Sequence, residues 1–260
     1  MQEWPAGEGS LASVVWEQTD ACLAVYREDP SRIEQDANNE LRIAEGGYSR
    51  RQLFELLQNA VDAARTGGGR VEVLLSPDAL YVANDGAPFT ADGVRAIMSS
   101  DLSPKDDEQI GRFGIGFKSV LAVTSGPRIF STTVALEFNG EWAAGAIEEA
   151  GFHAPRYPVM RLARTLDATV EAERNPRLAR LMEWASTVIA LPLRARRDEL
   201  ARELRQFPPE FLLFSPHVTS ARLADEPNSD SGSGPLVREI RRAEDVSGVT
   251  TISEGGREQA

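Results

Sequence analysis

Short turns between strand-like segments restrict the fold of this chain more than any other feature. Residues 71–75 and 80–83 are two extended, mainly apolar runs separated by Ser76, Pro77 and Asp78. So short a connection reverses the chain, and the two runs are predicted to pair as a β-hairpin. Parallel strands would need a crossover of about a dozen residues or more, so the sequence favours an antiparallel or mixed sheet. Further strand candidates lie at residues 128–132, 134–138, 159–162 and 187–193.

Helical periodicity alternates with these strands along the chain. Apolar residues recur at helical spacing in five segments, and Ser10 and Thr90 are suitable N-caps. The order of helices, strands, helix, loop, helix and strands predicts an α+β fold. Its natural form is a two-layer α/β sandwich whose helices cover one face of a mixed, mostly antiparallel sheet. The predicted helices span residues 10–26, 32–44, 50–65, 90–99 and 196–205.

The composition disfavours several classes of protein. The 28 basic and 40 acidic residues give a net charge of −12, which repels polyanions and disfavours nucleic-acid binding. Cys22 is the only cysteine, so one chain can form neither an internal disulfide nor a cysteine-based zinc site. No apolar run approaches the roughly eighteen residues of a membrane helix, and a cytoplasmic protein without membrane contact is expected.

The residues after position 225 have a different composition from the rest of the chain. Pro, Asn, Ser, Asp and Gly follow one another there, and large apolar residues are few. Such a segment buries too little apolar surface to offset the entropy of folding. We therefore expect one domain over residues 1–225, followed at residues 226–260 by a flexible tail or a linker to a missing C-terminal region.

The first of three motifs with candidate chemistry is a polar stripe on the third helix. Glu55, Gln58, Asn59 and Asp62 share one side of this helix, and the remainder of it is almost wholly apolar. Glu55 can accept a proton from an attacking water, while Asn59, one turn away, can offer a neutral oxygen to Mg²⁺. Taken without the rest of the chain, a solvated helix face is the simpler explanation.

The second motif is the run Asn84, Asp85, Gly86 at the end of the hairpin. A carboxylate beyond a buried strand can accept a hydrogen bond from an exocyclic amine such as that of adenine. The following glycine lets the backbone approach closely. Asn-Asp-Gly also suits a turn at any strand exit, and on its own this motif is better explained as a turn.

The third motif is the glycine cluster Gly111, Gly114 and Gly116, which precedes an apolar helix start. Successive backbone N–H groups and a helix N-terminus can hold phosphate oxygens, and Arg112 or Lys118 can add positive charge. The spacing matches neither the P-loop nor the dinucleotide fingerprint. A glycine-rich hinge is the structural alternative.

In their order and separation, the three motifs resemble the nucleotide-binding motifs of the GHKL superfamily. These ATPases include gyrase, the heat-shock protein 90 chaperones, histidine kinases and MutL. The chain looks most similar to the sacsin and No Vein branch, and the resemblance rests on residues 55–63, 84–89 and 110–120. It covers roughly residues 10–225 and implies the Bergerat fold, with ATP and Mg²⁺ as ligands.

The resemblance also implies a role for each matching residue. Glu55 would be the general base that activates the hydrolytic water, and Asn59 would coordinate Mg²⁺. Asp85 would bind the adenine amino group, Gly86 would shape the base pocket, and Thr187 would contact the adenine-binding carboxylate or a bridging water. A lid over ATP would include residues 99–109. The other nucleotide-binding residues that it implies are Asp62, Met98, Gly111, Arg112, Phe113, Gly114, Ile115, Gly116, Phe117 and Lys118.

One position departs from the superfamily pattern, because Ala87, Pro88 and Phe89 stand where a further glycine usually follows Gly86. The departure leaves the shape of the adenine side open. In the implied function, an ATP-binding domain with Mg-dependent hydrolysis acts as a chaperone-like or conformational-switch ATPase. Slow turnover is expected, since no residue beyond 225 can be assigned to complete the site. Other protein domains and an ATP-dependent homodimer are the expected partners, and a scaffold domain that binds nucleotide without hydrolysis is the alternative.

Overall fold

The chain has the predicted α+β fold, built on one mixed and mostly antiparallel sheet. The computed structural model describes residues 4–5, 9–46, 52–64, 69–99, 115–194, 196–227, 234–244, 248–255 and 257–259. The helices are α1 (Ala12–Glu28), α2 (Ser31–Glu45), α3 (Gln52–Ala63), α4 (Ala91–Met98), α5 (Ile115–Lys118), α6 (Gly140–Glu149), α7 (Ala168–Arg174), α8 (Pro176–Met182) and α9 (Arg197–Arg205). The strands are β1 (Gly69–Leu75), β2 (Ala79–Asn84), β3 (Arg128–Ser131), β4 (Val134–Glu137), β5 (Arg164–Thr165), β6 (Thr187–Pro192), β7 (Val218–Asp225), β8 (Leu236–Glu244), β9 (Thr250–Glu254) and β10 (Arg257–Gln259). No helix among these residues is long and apolar enough to cross a membrane.

Across the described ranges, ten strands form the sheet in the order β10-β9-β8-β7-β1-β2-β6-β3-β4-β5. Within the described residues, β1 and β7 are the one parallel pair. The predicted hairpin consists of β1 and β2, and its turn is closed by the Ser76 N–H, which donates to Ala79 O over 2.8 Å. β2 pairs with β6 along its whole length, so Asn84 at the end of β2 lies opposite Thr187.

The two faces of the central strands carry separate apolar cores. Side chains alternate between the faces of a strand. Val73 and Val82 therefore pack into a larger core with α3 and α4, whereas Leu74 and Tyr81 pack into a smaller core with α7 and α8. The candidate motifs belong to the α3 face.

Three leucines anchor α3 in the larger core. Leu53, Leu56 and Leu57 are fully buried and recur at the three-to-four-residue spacing of one helix face. Full burial of each leucine stabilises the fold by about 2 kcal/mol. The leucine face of α3 is turned toward the core. The polar side chains of α3 therefore lie at the edge of that face and on the side of the helix away from the core.

The described residues of the tail that was predicted to be a flexible linker instead continue the sheet. β8 pairs with β7, β9 with β8, and β10 with β9, all antiparallel. Arg238 of β8 donates to the carbonyl oxygens of Leu204 and Phe207, over 3.1 and 2.8 Å, at the end of α9. The prediction was wrong because these strands are held by backbone pairing to an existing sheet edge. Among the described residues of these strands, Ile240 and Ile252 are the only large apolar side chains that are buried. Two such residues do not make an apolar alternation strong enough to predict a strand.

The strand predicted at residues 159–162 is also wrong, since these residues form bends ahead of the short β5. The N–H groups of Val159 and Met160 donate to the Glu40 carboxylate over 2.6 and 2.9 Å instead of to a neighbouring strand. The Glu40 side chain of α2 thus accepts the hydrogen bonds that these two N–H groups would donate to a neighbouring strand.

Candidate functional site

The polar residues of α3 have different environments. Gln58 is exposed, Glu55 and Asp62 are partly buried, and Asn59 is 5% exposed. Burial of Asn59 excludes a solvated helix face as the explanation at that position. A buried amide requires hydrogen-bond partners, so the groups around Asn59 determine whether its amide is paired within the protein or left for a ligand.

The Glu55 carboxylate lies against the backbone of Gly116 in α5. A β-carbon built on Gly116 would lie 3.1 Å from Glu55 Cδ and would overlap Oε2. Any side chain at position 116 would therefore displace the carboxylate. This contact brings the first motif and the described end of the third motif together.

The second motif meets the other end of α3. The Ala87 N–H donates to Ala63 O over 2.8 Å, and a β-carbon built on Gly86 would lie 2.7 Å from Ala64 N. Glu55 and Ala63 are about 12 Å apart along the helix axis, given the rise of an α-helix. The second and third motifs therefore both contact α3, the helix that carries the first motif, as far as their residues are described.

The amide of Asn59 is buried without a hydrogen-bond partner on its nitrogen. Asn59 Nδ2 is one of three such side-chain atoms in the described residues. An unpaired buried donor costs about 1–3 kcal/mol, and native structures retain few of them. A bound ligand that accepts from this amide would remove the cost. The amide oxygen of an asparagine is a group that can coordinate Mg²⁺.

A row of three polar side chains lies where β2, β6 and β3 meet. Asn84 lies opposite Thr187, and Thr187 lies opposite Ser131. Their exposed fractions are 4%, 3% and 0%, and the hydroxyls of Ser131 and Thr187 are 3.2 Å apart. Val82 and Ile189, two residues away along their strands, belong to the larger core. Alternation therefore places the row on the α3 face of the sheet.

Asp85 lies beside this row but has a different contact. It is exposed, and its Oδ1 accepts from the Arg70 N–H over 2.7 Å at the start of β1. The strand register places Asn84, not Asp85, opposite Thr187. Neither Asn84 nor Ser131 was predicted to be a site residue. The alternation of residues 80–84 would have placed Asn84 on the core face.

Lys118 and Arg161 bind the C-terminal end of α4 from two sides. The Lys118 ammonium donates to Ser99 O, and the Arg161 guanidinium donates to Met98 O. Carbonyl groups at a helix C-terminus lack partners within the helix and carry partial negative charge, so two cations stabilise this end. The side chains of Met98 and Phe117 are buried in the larger core, with exposures of 1% and 0%.

Buried carboxylates of α2 balance these cations. Asp36 accepts from Tyr26 OH and from Arg161 Nε, each over 2.9 Å. Burial raises the pKa of Glu40 to about 7, while its two backbone hydrogen bonds and the charge of Lys118 act to lower it. This network connects α2 and α5 with the end of α4, just before the predicted lid.

Part of the predicted site lies outside the described residues. This applies to the lid beyond Ser99, to the side chain of Ile115 and to most of the glycine cluster. Their predicted roles stay predictions. The cluster residues concerned are Gly111, Arg112, Phe113 and Gly114.

Part of the chain is related in sequence to a known protein. No protein-family model matches the chain. A region of the chain is similar to sacsin of Homo sapiens. The two sequences are 40% identical over 107 residues, which cover 35% of this chain and 2% of sacsin. The chain therefore contains a sacsin-related region and spans only a small part of that relative's length.

Proposed function

We propose that this chain binds ATP with Mg²⁺ beside α3 and hydrolyses it slowly, as a chaperone-like or conformational-switch ATPase module. The observation that carries the proposal is the contact of the second and third motifs with α3, which carries the first, with Glu55 against Gly116 and the Asn59 amide nitrogen buried without a partner. The sacsin-related region and the GHKL resemblance support the same assignment.

The residues present fit a nucleotide with a hard cation. Asn59 offers an amide oxygen to Mg²⁺, and Glu55 is a partly buried carboxylate one helical turn away. When bound, Mg²⁺ would neutralise charge on the phosphate oxygens. The polar row of Asn84, Thr187 and Ser131 would accommodate the base at the far end of α3.

The chain's own contribution to hydrolysis would come mainly from Glu55. Its carboxylate would take a proton from the attacking water, and the Gly116 backbone limits where that carboxylate can move. Lys118, the described cation of the third motif, donates to the Ser99 carbonyl oxygen, and hydrolysis supported mainly by Glu55 would be slow. We further propose that ATP promotes self-association or contact with another protein domain, and sedimentation with and without a non-hydrolysable analogue would test this.

Calorimetry with Mg-ATP, combined with phosphate-release assays on the wild type and Glu55→Gln, tests the proposal. We expect Glu55→Gln to bind with nearly wild-type affinity and to release phosphate about a hundredfold more slowly, the usual effect of losing a general base. The control is Glu45→Gln, an exposed carboxylate of α2 whose loss should change neither quantity. Absence of binding heat would refute the proposal. Binding without Glu55-dependent release would favour the non-hydrolysing scaffold.

A further inference from the structure

Asn84 has an unused amide donor at the end of β2. The residue is 4% exposed, and its Oδ1 accepts from the Gly86 N–H over 3.1 Å. Its backbone oxygen accepts from the Ser186 N–H over 2.8 Å. In the part of the chain that the structure describes, Asn84 Nδ2 has no hydrogen-bond partner.

The hydrogen bond from Gly86 fixes which way the amide points. Only the oxygen of the amide can accept from an N–H group, so the nitrogen must lie on the other side. The alternation of β2 directs this side chain toward the α3 face, in the same row as Thr187 and Ser131. The buried unpaired side-chain atoms of the described residues do not include Asn84 Nδ2, so this donor is open to solvent on the α3 face, where a ligand can reach it.

We propose that Asn84 reads the purine base and that the site accepts both 6-amino and 6-oxo purines. The inference rests on the proposed nucleotide site and extends it to base selection. An amide combines a donor with an acceptor, and its oxygen has a second lone pair beyond the bond from Gly86. It can pair with the amino group and ring nitrogen of adenine, or with the carbonyl and ring N–H of guanine or hypoxanthine.

A carboxylate in the same place would act differently. Ionised, it only accepts, so it pairs with the adenine amino group but repels a carbonyl oxygen at position 6. Asp85 has such a carboxylate, but it is exposed and directed to Arg70 at the start of β1. Base selection therefore depends on Asn84, and exchanging its amide for a carboxylate should restore discrimination.

Calorimetric titration with Mg²⁺ complexes of non-hydrolysable ATP and GTP analogues tests this inference. We expect the wild type to bind both with affinities within about tenfold of each other. In Asn84→Asp the ratio should shift toward ATP by about tenfold or more, the usual effect of one mispaired base contact. Asn38→Asp on α2 makes the same chemical change away from the row and should leave the ratio unchanged.

A second measurement needs no variant. Inosine triphosphate differs from GTP only in lacking the amino group at position 2 of the purine ring. If Asn84 contacts the group at position 6, inosine triphosphate should bind the wild type as GTP does. Binding of ATP without GTP or inosine triphosphate would overturn the inference and leave the proposed function intact. A ratio that shifts in Asp85→Asn and not in Asn84→Asp would assign the base to Asp85 and also overturn it. Failure of all three nucleotides to bind would remove both proposals.

Discussion

The carboxylate of Glu55 occupies the space in which a side chain of Gly116 would stand. One residue belongs to α3 and the other to α5, and their contact joins two motifs that are far apart in sequence. The position of a candidate general base therefore depends on the absence of a side chain at residue 116.

Replacing Gly116 with alanine should displace Glu55. The added β-carbon overlaps Oε2 and lies 3.1 Å from Cδ, so the carboxylate must rotate away. We expect phosphate release to fall by about tenfold or more, because a misplaced base loses its geometry. Gly145→Ala in α6 is the control, since its β-carbon meets no atom within 4 Å. Undiminished release from Gly116→Ala would show that the Glu55 position is unimportant.

Replacing Gly86 with alanine should destabilise the fold. The new β-carbon would lie 2.7 Å from Ala64 N and would also overlap the Ala63 carbonyl, and backbone atoms cannot rotate away. We expect a loss of about 2 kcal/mol in the free energy of unfolding, measured by urea denaturation. Gly145→Ala should instead be neutral or stabilise by up to about 1 kcal/mol through helix propensity. Equal stability of the two variants would contradict the contact.

Replacing Arg238 with methionine should release the C-terminal strands. Its guanidinium bonds to carbonyl oxygens at the end of α9 and pairs with Glu254, whose pKa it lowers by hydrogen bonding. We expect the free energy of unfolding to fall by about 2 kcal/mol, and amide hydrogen exchange to become faster in β8, β9 and β10 only. Arg241→Met changes a side chain that is 71% exposed and should alter neither. Unchanged exchange in Arg238→Met would show that backbone pairing alone holds these strands.

Glu40 should make stability depend on pH. Its pKa is raised in the folded state to about 7 from the ordinary value of 4.5, so the folded chain binds the proton more tightly. The stabilisation is fully present below about pH 4.5 and is lost as the pH rises through about 7, with a magnitude of about 3 kcal/mol. Urea unfolding between about pH 4.5 and pH 8 should show the wild type losing stability relative to Glu40→Gln.

The matched control for this pH dependence is Glu45→Gln. Glu45 is an exposed carboxylate on the same helix. The difference in the free energy of unfolding between Glu45→Gln and the wild type should not change over the same pH range. A wild type that gains stability relative to Glu40→Gln as the pH rises would contradict the assigned direction of the Glu40 pKa shift.

The sequence predicted those parts of the fold whose signals are local and repeated. The apolar runs of β1 and β2 with their Ser-Pro-Asp turn predicted a hairpin, and the observed register is that hairpin. Thr90 was predicted as an N-cap, and its hydroxyl accepts from the Gly93 N–H over 3.1 Å. In both cases neighbouring residues supply most of the interaction.

Features that depend on distant residues were not predicted. The helices α6, α7 and α8 begin after the caps Asn139, Asp167 and Asn175, but they are short and their apolar faces become recognisable only against the sheet. Asn84 was not selected as a site residue because its importance arises from strand register with Thr187 and from the bond to Gly86. Such relationships require the sheet order, which no local pattern provides.

A crystal structure with Mg²⁺ and a non-hydrolysable ATP analogue tests the central claim most directly. We predict the metal at about 2.1 Å from the Asn59 amide oxygen, the terminal phosphate on the Glu55 side of α3 and the base against the row that begins at Asn84. A nucleotide bound away from α3, or a metal with no contact to Asn59, would contradict the account.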